Sequence, residues 1–302
     1  MGVAQEGIDN GVRLMPAPRV SFEFFPPKTL EASFKLWDTV RMLAPLAPEF
    51  VSVTYGAGGT TRQLTHEAVT TIGAQFGLNV AAHLTCVDAS RAETLDIAAA
   101  YAKAGVREIV ALRGDPPKGQ RGFTPAPDGY ANSVELIEAL AQTGHFKLRV
   151  GAYPEPHPEA ADTCADVQWL KQKFAAGADS AITQFFFEAD TFLRFRDACQ
   201  RAGITGQIIP GIIPIENWAG IRKFALSTGA SVPQWLDDAF EKALRDGRED
   251  LLATALCTEL CDTLVREGVE DLHFYTLNRP HLTRDVCHAL GIQPQVVLEN
   301  VA

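Results

Sequence analysis

From Val20 to Leu290 the chain alternates short runs of β-branched and aromatic residues with longer stretches of helical apolar spacing. That rhythm marks repeated βα units and a parallel sheet, because a right-handed crossover through a helix is the short way to bring the next strand in parallel. The strand candidates are Val20 to Phe25, Phe50 to Tyr55, Val80 to Thr85, Glu108 to Leu112, Leu148 to Tyr153, Ala181 to Phe187, Gln207 to Ile213 and Asp271 to Leu277. Eight is the count that closes a barrel, so the predicted fold class is α/β, a single-domain (β/α)8 TIM barrel. An open, doubly wound sheet is the other arrangement of such units.

Helical spacing predicts helices over Glu31 to Leu46, Arg62 to Phe76, Ser90 to Ala104, Ser133 to Ala141, Ala161 to Ala176, Ala189 to Ala202 and Asn217 to Ser227. Gly105, Gly177 and Gly203 stand just past the last periodic residue of three of them, as helix stops do. Extra helices, Pro233 to Arg245 and Asp250 to Arg266, fall before the eighth strand, and a last one runs from Leu282 to Leu290. The expected organisation is a flexible arm over residues 1–18 and a barrel over 19–302. The Pro- and Gly-rich stretch Asp115 to Gly129 directly follows a strand and is expected to be a mobile loop over a site.

Composition removes several function classes. With 46% hydrophobic and 21% charged residues the chain suits a soluble globular protein, and no run approaches the ~20 apolar residues of a membrane span. The first 19 residues lack the basic-then-apolar order of a signal peptide, which points to the cytoplasm. A net charge of −10 argues against a nucleic-acid footprint. The six cysteines are scattered singly, unlike a disulfide framework, and although Cys257 and Cys261 are four apart on a predicted helix, no second ligand pair accompanies them, so no metal is expected.

In such a barrel the site forms at the C-terminal ends of the strands. Polar residues collect there: Glu23, Thr54 and Tyr55, His83, Arg113 with Asp115, Tyr153 and His157, Gln184, Asn217, and Tyr275 with Asn278 and Arg279. Each alone has a plain explanation, a hydrogen-bonded core histidine or a turn with an ion pair; together they outline a site. Gly56-Ala57-Gly58-Gly59-Thr60-Thr61 follows a strand and opens a helix, so its amides suit a close cofactor approach, although it matches neither a Walker A loop nor GxGxxG. The run Pro154 to Glu159 precedes a helix carrying Lys171 and Lys173, and a helix start with His157 and lysines can hold a pyrophosphate; a stiffened loop beside a solvated lysine face explains the same residues.

Glu23 is the sharpest of these. By the period of two, Ser21, Glu23 and Phe25 share one face and Phe22 and Phe24 the other, so Glu23 points into the barrel near its open end. With no Arg or Lys in its own strand, it is expected to be a carboxyl held protonated near neutral pH, a general acid.

Val20-Ser21-Phe22-Glu23-Phe24-Phe25-Pro26-Pro27, Phe50 to Ala57, His83-Leu84-Thr85-Cys86, Ala111-Leu112-Arg113-Gly114-Asp115, Ile182 to Phe187, Ile209-Pro210-Gly211-Ile212 and His273 to Arg279 carry a resemblance. From about Arg19 to Ile292, in order and approximate spacing, the chain resembles bacterial 5,10-methylenetetrahydrofolate reductase. The resemblance implies a non-covalent FAD, NADH or NADPH as co-substrate, and hydride transfer in two turns through one pocket to methylenetetrahydrofolate, giving 5-methyltetrahydrofolate for methionine synthesis. It implies Glu23 as the acid that opens the folate ring and Asp115 as a contact to flavin and pterin that tunes the redox potential. Gln184, Phe224, Tyr275 and Arg279 are the expected substrate contacts. Thr54, Tyr55, Ala57, His83, Arg113, Gly114, Asp115, Ala131, Tyr153, His157, Asp166 and Lys173 are the expected flavin contacts, with His157 and Lys173 at the phosphates.

The departures are local. The loop after Asp115 is longer than in the enteric enzymes, which shifts Tyr130 and Ala131; Gly58 to Thr61 differs from their turn; and Trp169 and Gln172 replace a polar and a basic residue. No S-adenosylmethionine-binding regulatory domain is expected, and the family suggests a homo-oligomer, dimer or tetramer. The competing readings are another flavin-dependent barrel, of the proline dehydrogenase type, and a folate-binding barrel without redox chemistry.

Overall fold

A computed structural model of the 302-residue chain describes residues 16–55, 61–115 and 122–295. Nine parallel strands form a nearly closed barrel: β1 Arg19–Phe24, β2 Phe50–Val53, β3 Val80–Thr85, β4 Glu108–Leu112, β5 Lys147–Ala152, β6 Ser180–Thr183, β7 Gln207–Ile209, β8 Gly211–Ile212 and β9 Asp271–Tyr275. Each of β1 to β6 pairs with its sequence neighbour, and β9 returns to pair with β1 on one side and β8 on the other.

The seventh run, expected as one strand over 207–213, is two. Pro210 has no N–H to give the ladder, so β7 ends on β6 and β8 begins on β9, and the seam of the barrel runs through the proline. The Pro210 carbonyl still accepts from the His273 N–H at 3.0 Å, and the Gly211 N–H donates to Thr183 Oγ1 at 3.0 Å. A side chain at Gly211 would bring its Cβ within 2.1 Å of the Thr183 carbonyl oxygen and 2.5 Å of the Tyr275 ring. Only glycine lets the seam close this tightly.

Helices α1 Leu30–Leu43, α2 Arg62–Phe76, α3 Arg91–Lys103, α4 Ser133–Gln142, α5 Thr163–Ala175, α6 Ala189–Arg201, α7 Trp218–Thr228, α8 Gln234–Asp246, α9 Glu249–Arg266 and α10 Pro280–Ala289 accompany the strands. Local chemistry sets their starts: Ser90 and Glu93 form a capping box on α3, and Asn132, Asp162 and Asn217 cap α4, α5 and α7 with side-chain oxygens. Gly105, Gly177 and Gly203 follow the capping residues Ala104, Ala176 and Ala202, as the sequence predicts. The last helix starts two residues earlier than expected because Pro280 suits a first helical turn. The second and sixth strands stop at Val53 and Thr183, leaving Thr54, Tyr55 and Gln184 to Phe187 in the loops over the barrel mouth.

Strand alternation divides the core. Phe22 and Phe24 pack outward among residues of α1, α9 and α10 such as Leu36, Leu264 and Val286. Inside the barrel Phe50, Ala81, Val110, Ile182 and Ile209 form an apolar plug. Burying side chains of this size stabilises by roughly 1.5–3 kcal/mol each. Toward the strand starts, a buried ion pair underlies the plug: Arg149 Nε meets Glu108 Oε2 at 2.6 Å, with the side chains 4% and 8% exposed. The residues above the plug are the functional candidates.

Candidate active site

Glu23 faces inward as its strand position requires, its neighbours across the ladder being Ser52 on β2 and Tyr275 on β9. Its side chain is 15% exposed, with His83 Nε2 at 3.3 Å and His273 Nε2 at 3.9 Å from Oε2. His273 is fully buried, stacks on Phe50 and shares a 2.8 Å hydrogen bond through Nδ1 with Ser21 Oγ. Thr276 Oγ1 donates to the Glu23 backbone carbonyl at 2.6 Å, tying the residue after β9 to the end of β1.

These neighbours overturn the expected protonated carboxyl. Burial, the largest influence, raises the Glu23 pKa, but the two imidazoles, His273 ahead of His83, together outweigh it and hold the carboxyl at about 2. The same pocket pushes His273 down from its ordinary value, burial outweighing the attraction of Glu23. At neutral pH this group therefore holds a carboxylate beside a neutral buried imidazole. Strand-local reading missed His273, although it lies two residues before Tyr275 on the same inward face.

A cavity of about 510 Å³ opens past Thr276, lined by Phe25, Glu216, Phe224, Thr276 and Arg279 among others, while Glu23 and its two histidines are not among its lining residues. Phe224, on α7, stacks on Phe185 at 5.4 Å, and Phe185 meets Tyr275 edge-on at 6.5 Å. The Tyr275 hydroxyl is spent on the Thr183 carbonyl at 2.7 Å, so its ring, not its oxygen, is offered to a ligand. Gln184 is half-buried after β6, its Oε1 accepting the Phe185 N–H at 3.0 Å. The expected substrate residues Phe224 and Arg279 thus line one cavity, with Tyr275 reaching it through Phe185.

The expected flavin residues form a second flank. Lys173 is buried on α5, donates from Nζ to the Gly151 carbonyl at 2.7 Å, and is lowered to about 8 by burial, with Asp166 pulling the other way. Asp166 Oδ2 accepts the His157 N–H at 2.8 Å and is itself raised, chiefly by burial. Tyr153 packs edge-on to His157 at 4.6 Å, and burial pushes its hydroxyl up to about 12. Arg113 pairs with Glu159 and lies 5.3 Å over the Phe123 ring. Gly114 has φ +86, and a Cβ there would stand 2.5 Å from Val87 Cγ2, so the turn into Asp115 requires glycine. Asp115 itself is exposed at the end of that turn.

Other expected contacts are further from agreement. Lys171 points away and donates to the Ala202 carbonyl at 2.9 Å, because residues two apart on a helix face different sides. Helix α5 starts only at Thr163, beyond the proline run, with its first turn capped by Asp162. The Ala131 N–H is occupied by Glu135 at 3.2 Å. The Thr54 carbonyl accepts from Thr65 Oγ1 at 3.0 Å and the Tyr55 hydroxyl from Arg62 Nε at 2.8 Å, which anchors both to α2. Ala57, with Gly56 to Thr60, lies outside the described residues, as do residues 1–15 of the arm and 116–121 of the loop. Among the described residues no cluster of three or more His, Cys, Asp or Glu side chains could hold a metal, and no helix is long and apolar enough to cross a membrane.

The family model "Methylenetetrahydrofolate reductase" matches residues 13–291. The chain is 46% identical over 278 residues to the 5,10-methylenetetrahydrofolate reductase of Pectobacterium carotovorum, covering 92% of this chain and 91% of that one. Identity to the Escherichia coli K12 protein of the same name is 46% over 277 residues, 91% of each chain. A probable methylenetetrahydrofolate reductase (NADH) of Oryza sativa is 34% identical over 285 residues, which span 90% of this chain and 48% of the rice protein. Among solved structures, an uncharacterized protein from Clostridium thermocellum that binds two copies of 5-methyl-5,6,7,8-tetrahydrofolic acid aligns with a TM-score of 0.56 at 13% identity, over 92% of this chain and 96% of that one. At that identity the likeness concerns the fold.

Proposed function

The chain belongs to the methylenetetrahydrofolate reductase family, and from that premise we propose that it reduces 5,10-methylenetetrahydrofolate to 5-methyltetrahydrofolate with electrons from a reduced nicotinamide nucleotide. The name of the rice relative makes NADH the donor to try first. The observation that carries the reading is the inward carboxyl of Glu23, set against two imidazoles, its backbone carbonyl held by Thr276 of the cavity that Phe224 and Arg279 wall.

The second flank fits FAD. A buried lysine lowered to about 8 and only partly neutralised by Asp166 is a donor that a phosphate would satisfy. Arg113 and Lys173 give the cations for a diphosphate, with the His157 imidazole and the Tyr153 ring packed beside them. Bound there, FAD would supply two-electron carrier chemistry between nicotinamide and folate.

The residues of the chain manage the proton and the fit. Folate reduction takes up one proton as the five-membered ring opens at its amine nitrogen, and Glu23 is the carboxyl assigned to deliver it. Held ionised by its neighbours, it must first be charged with a proton, and His83 and His273 are the groups close enough to pass one. A ligand over the strand ends that covered this 15% exposed side chain would strengthen the effect of burial and move the carboxyl toward its protonated form. Phe224, backed by the buried Phe185, offers an aromatic wall to a flat ring, and Gln184 offers an amide to the edge of a pterin or nicotinamide. Asp115, exposed beside Arg113, would place negative charge next to the carrier and so oppose its reduction.

An anaerobic visible spectrum tests the reading. The purified protein should show a flavin band that bleaches with NADH and returns when methylenetetrahydrofolate is added. A band that bleaches but ignores folate, or a colourless protein, contradicts it.

A further inference from the structure

Glu216 and Arg279 face each other across the mouth of the 510 Å³ cavity, joined at 3.5 Å between Oε2 and Nη1. Glu216 follows β8 and immediately precedes Asn217, the cap of α7, the helix that carries Phe224. Arg279 is the residue on which α10 begins, and the Leu282 N–H in the first turn of α10 is also directed at the Glu216 carboxylate. Glu216 therefore clasps together the two helix starts that flank the cavity. Among the described residues that line it, Arg279 is the one cation and Glu216 the one anion.

The clasp is held loosely. Glu216 is 24% exposed and Arg279 59%, so water competes for the guanidinium. Burial is the largest influence on Glu216 and raises it, against the combined pull of Arg279, His281 and the Leu282 N–H. Its partners do not make good the hydration it has lost, so a better-hydrated or better-placed anion can take Arg279 from it.

We propose that Glu216 is a specificity-determining residue, an internal competitor for Arg279 that the carboxylate arm of the substrate displaces on binding and that reclaims the guanidinium as product leaves. This rests on the folate reading above, in which a glutamyl tail supplies the arm. In a pocket that serves two substrates in turn, such a competitor loosens the hold on the anionic product and acts mainly on its departure.

Equilibrium and stopped-flow binding to the holoenzyme test it, with 5-methyltetrahydrofolate and its bis-amide, in which both tail carboxylates are neutral, as probes. Glu216→Gln is expected to tighten 5-methyltetrahydrofolate roughly two- to fivefold, the scale of a partly exposed ion pair, through slower release, and to leave the bis-amide unchanged. Glu216→Ala should act in the same direction, and in an Arg279→Gln background Glu216→Gln should have no effect. An equal shift for both ligands, which a merely structural clasp would give, overturns the proposal, as does weaker folate binding. Failure of the wild-type protein to bind 5-methyltetrahydrofolate at all refutes the folate reading itself.

Discussion

Two glutamates are buried inside the barrel at opposite ends of the apolar plug, and their partners differ in kind. Glu108, near the strand starts, meets a permanently charged arginine at 2.6 Å and accepts from Asn79 Nδ2 at 2.6 Å. Arg149 in turn donates to Ser180 Oγ at 3.0 Å and lies 3.6 Å from the centroid of the Phe50 ring. Every charge there is answered by a group that does not titrate near neutrality. Glu23, near the strand ends, has among the described residues only the two imidazoles at 3.3 and 3.9 Å, and neither Nε2 has a well-aligned hydrogen bond. The first arrangement fixes a charge; the second leaves a proton free to move. This matches the division of a TIM barrel into a stabilising bottom and a reactive top.

Breaking the lower pair should have the largest effect on stability. Glu108→Gln leaves the Arg149 charge buried without its counter-ion and should cost about 3–5 kcal/mol in urea unfolding. Replacing both partners with methionine should recover most of that loss, because a buried pair exchanged for apolar packing is often close to neutral. If the single variant is as stable as the wild type, the pair does not hold the bottom of the barrel.

Lys173 sharpens the comparison from the functional side, as a buried charge whose counter-ion is incomplete. Its pKa is lowered from 10.5 to about 8, so at neutral pH the folded protein without flavin bears the cost of keeping it charged. The flavin-free protein should gain stability as pH rises from about 8 to 10.5, where only the unfolded chain still holds the proton. Lys173→Met should raise the neutral-pH stability of that form by about 3 kcal/mol, remove the alkaline gain and abolish flavin retention. A variant that keeps the flavin would dissociate Lys173 from the phosphate role.

The acid limb should show a smaller effect. Glu23 is lowered from 4.5 to about 2, so its contribution is present above pH 4.5 and is lost as the pH falls toward 2. Comparing denaturation curves across that window, Glu23→Gln should lack about 2 kcal/mol of the wild-type decline, the contact of the side chain with water reducing the full shift. Identical acid limbs would mean that the histidines do not hold Glu23 ionised.

The inward face of Glu23 is legible from strand alternation, and His83 from its place in the third strand. Its protonation state is not, because His273 comes into register with Ser21 from 252 residues away. The run 207–213 reads as one strand by composition, yet Pro210 within it marks the break that an edge or seam requires. Lys171 and Lys173 look alike in sequence, and only the helical angle between them sends one to the site and the other to the Ala202 carbonyl. The pairing of Glu108 with Arg149 joins neighbouring strands across 41 residues of sequence, which no pattern within either strand shows.

Whether Glu23 carries the proton of folate reduction is decided by measuring the two half-reactions of Glu23→Gln separately in an anaerobic stopped-flow instrument. Bleaching of the flavin by NADH at close to the wild-type rate, with its return on methylenetetrahydrofolate slowed by about 10²–10⁴-fold, is the expected result for loss of a general acid. Return of the flavin at the wild-type rate in that variant would contradict the account.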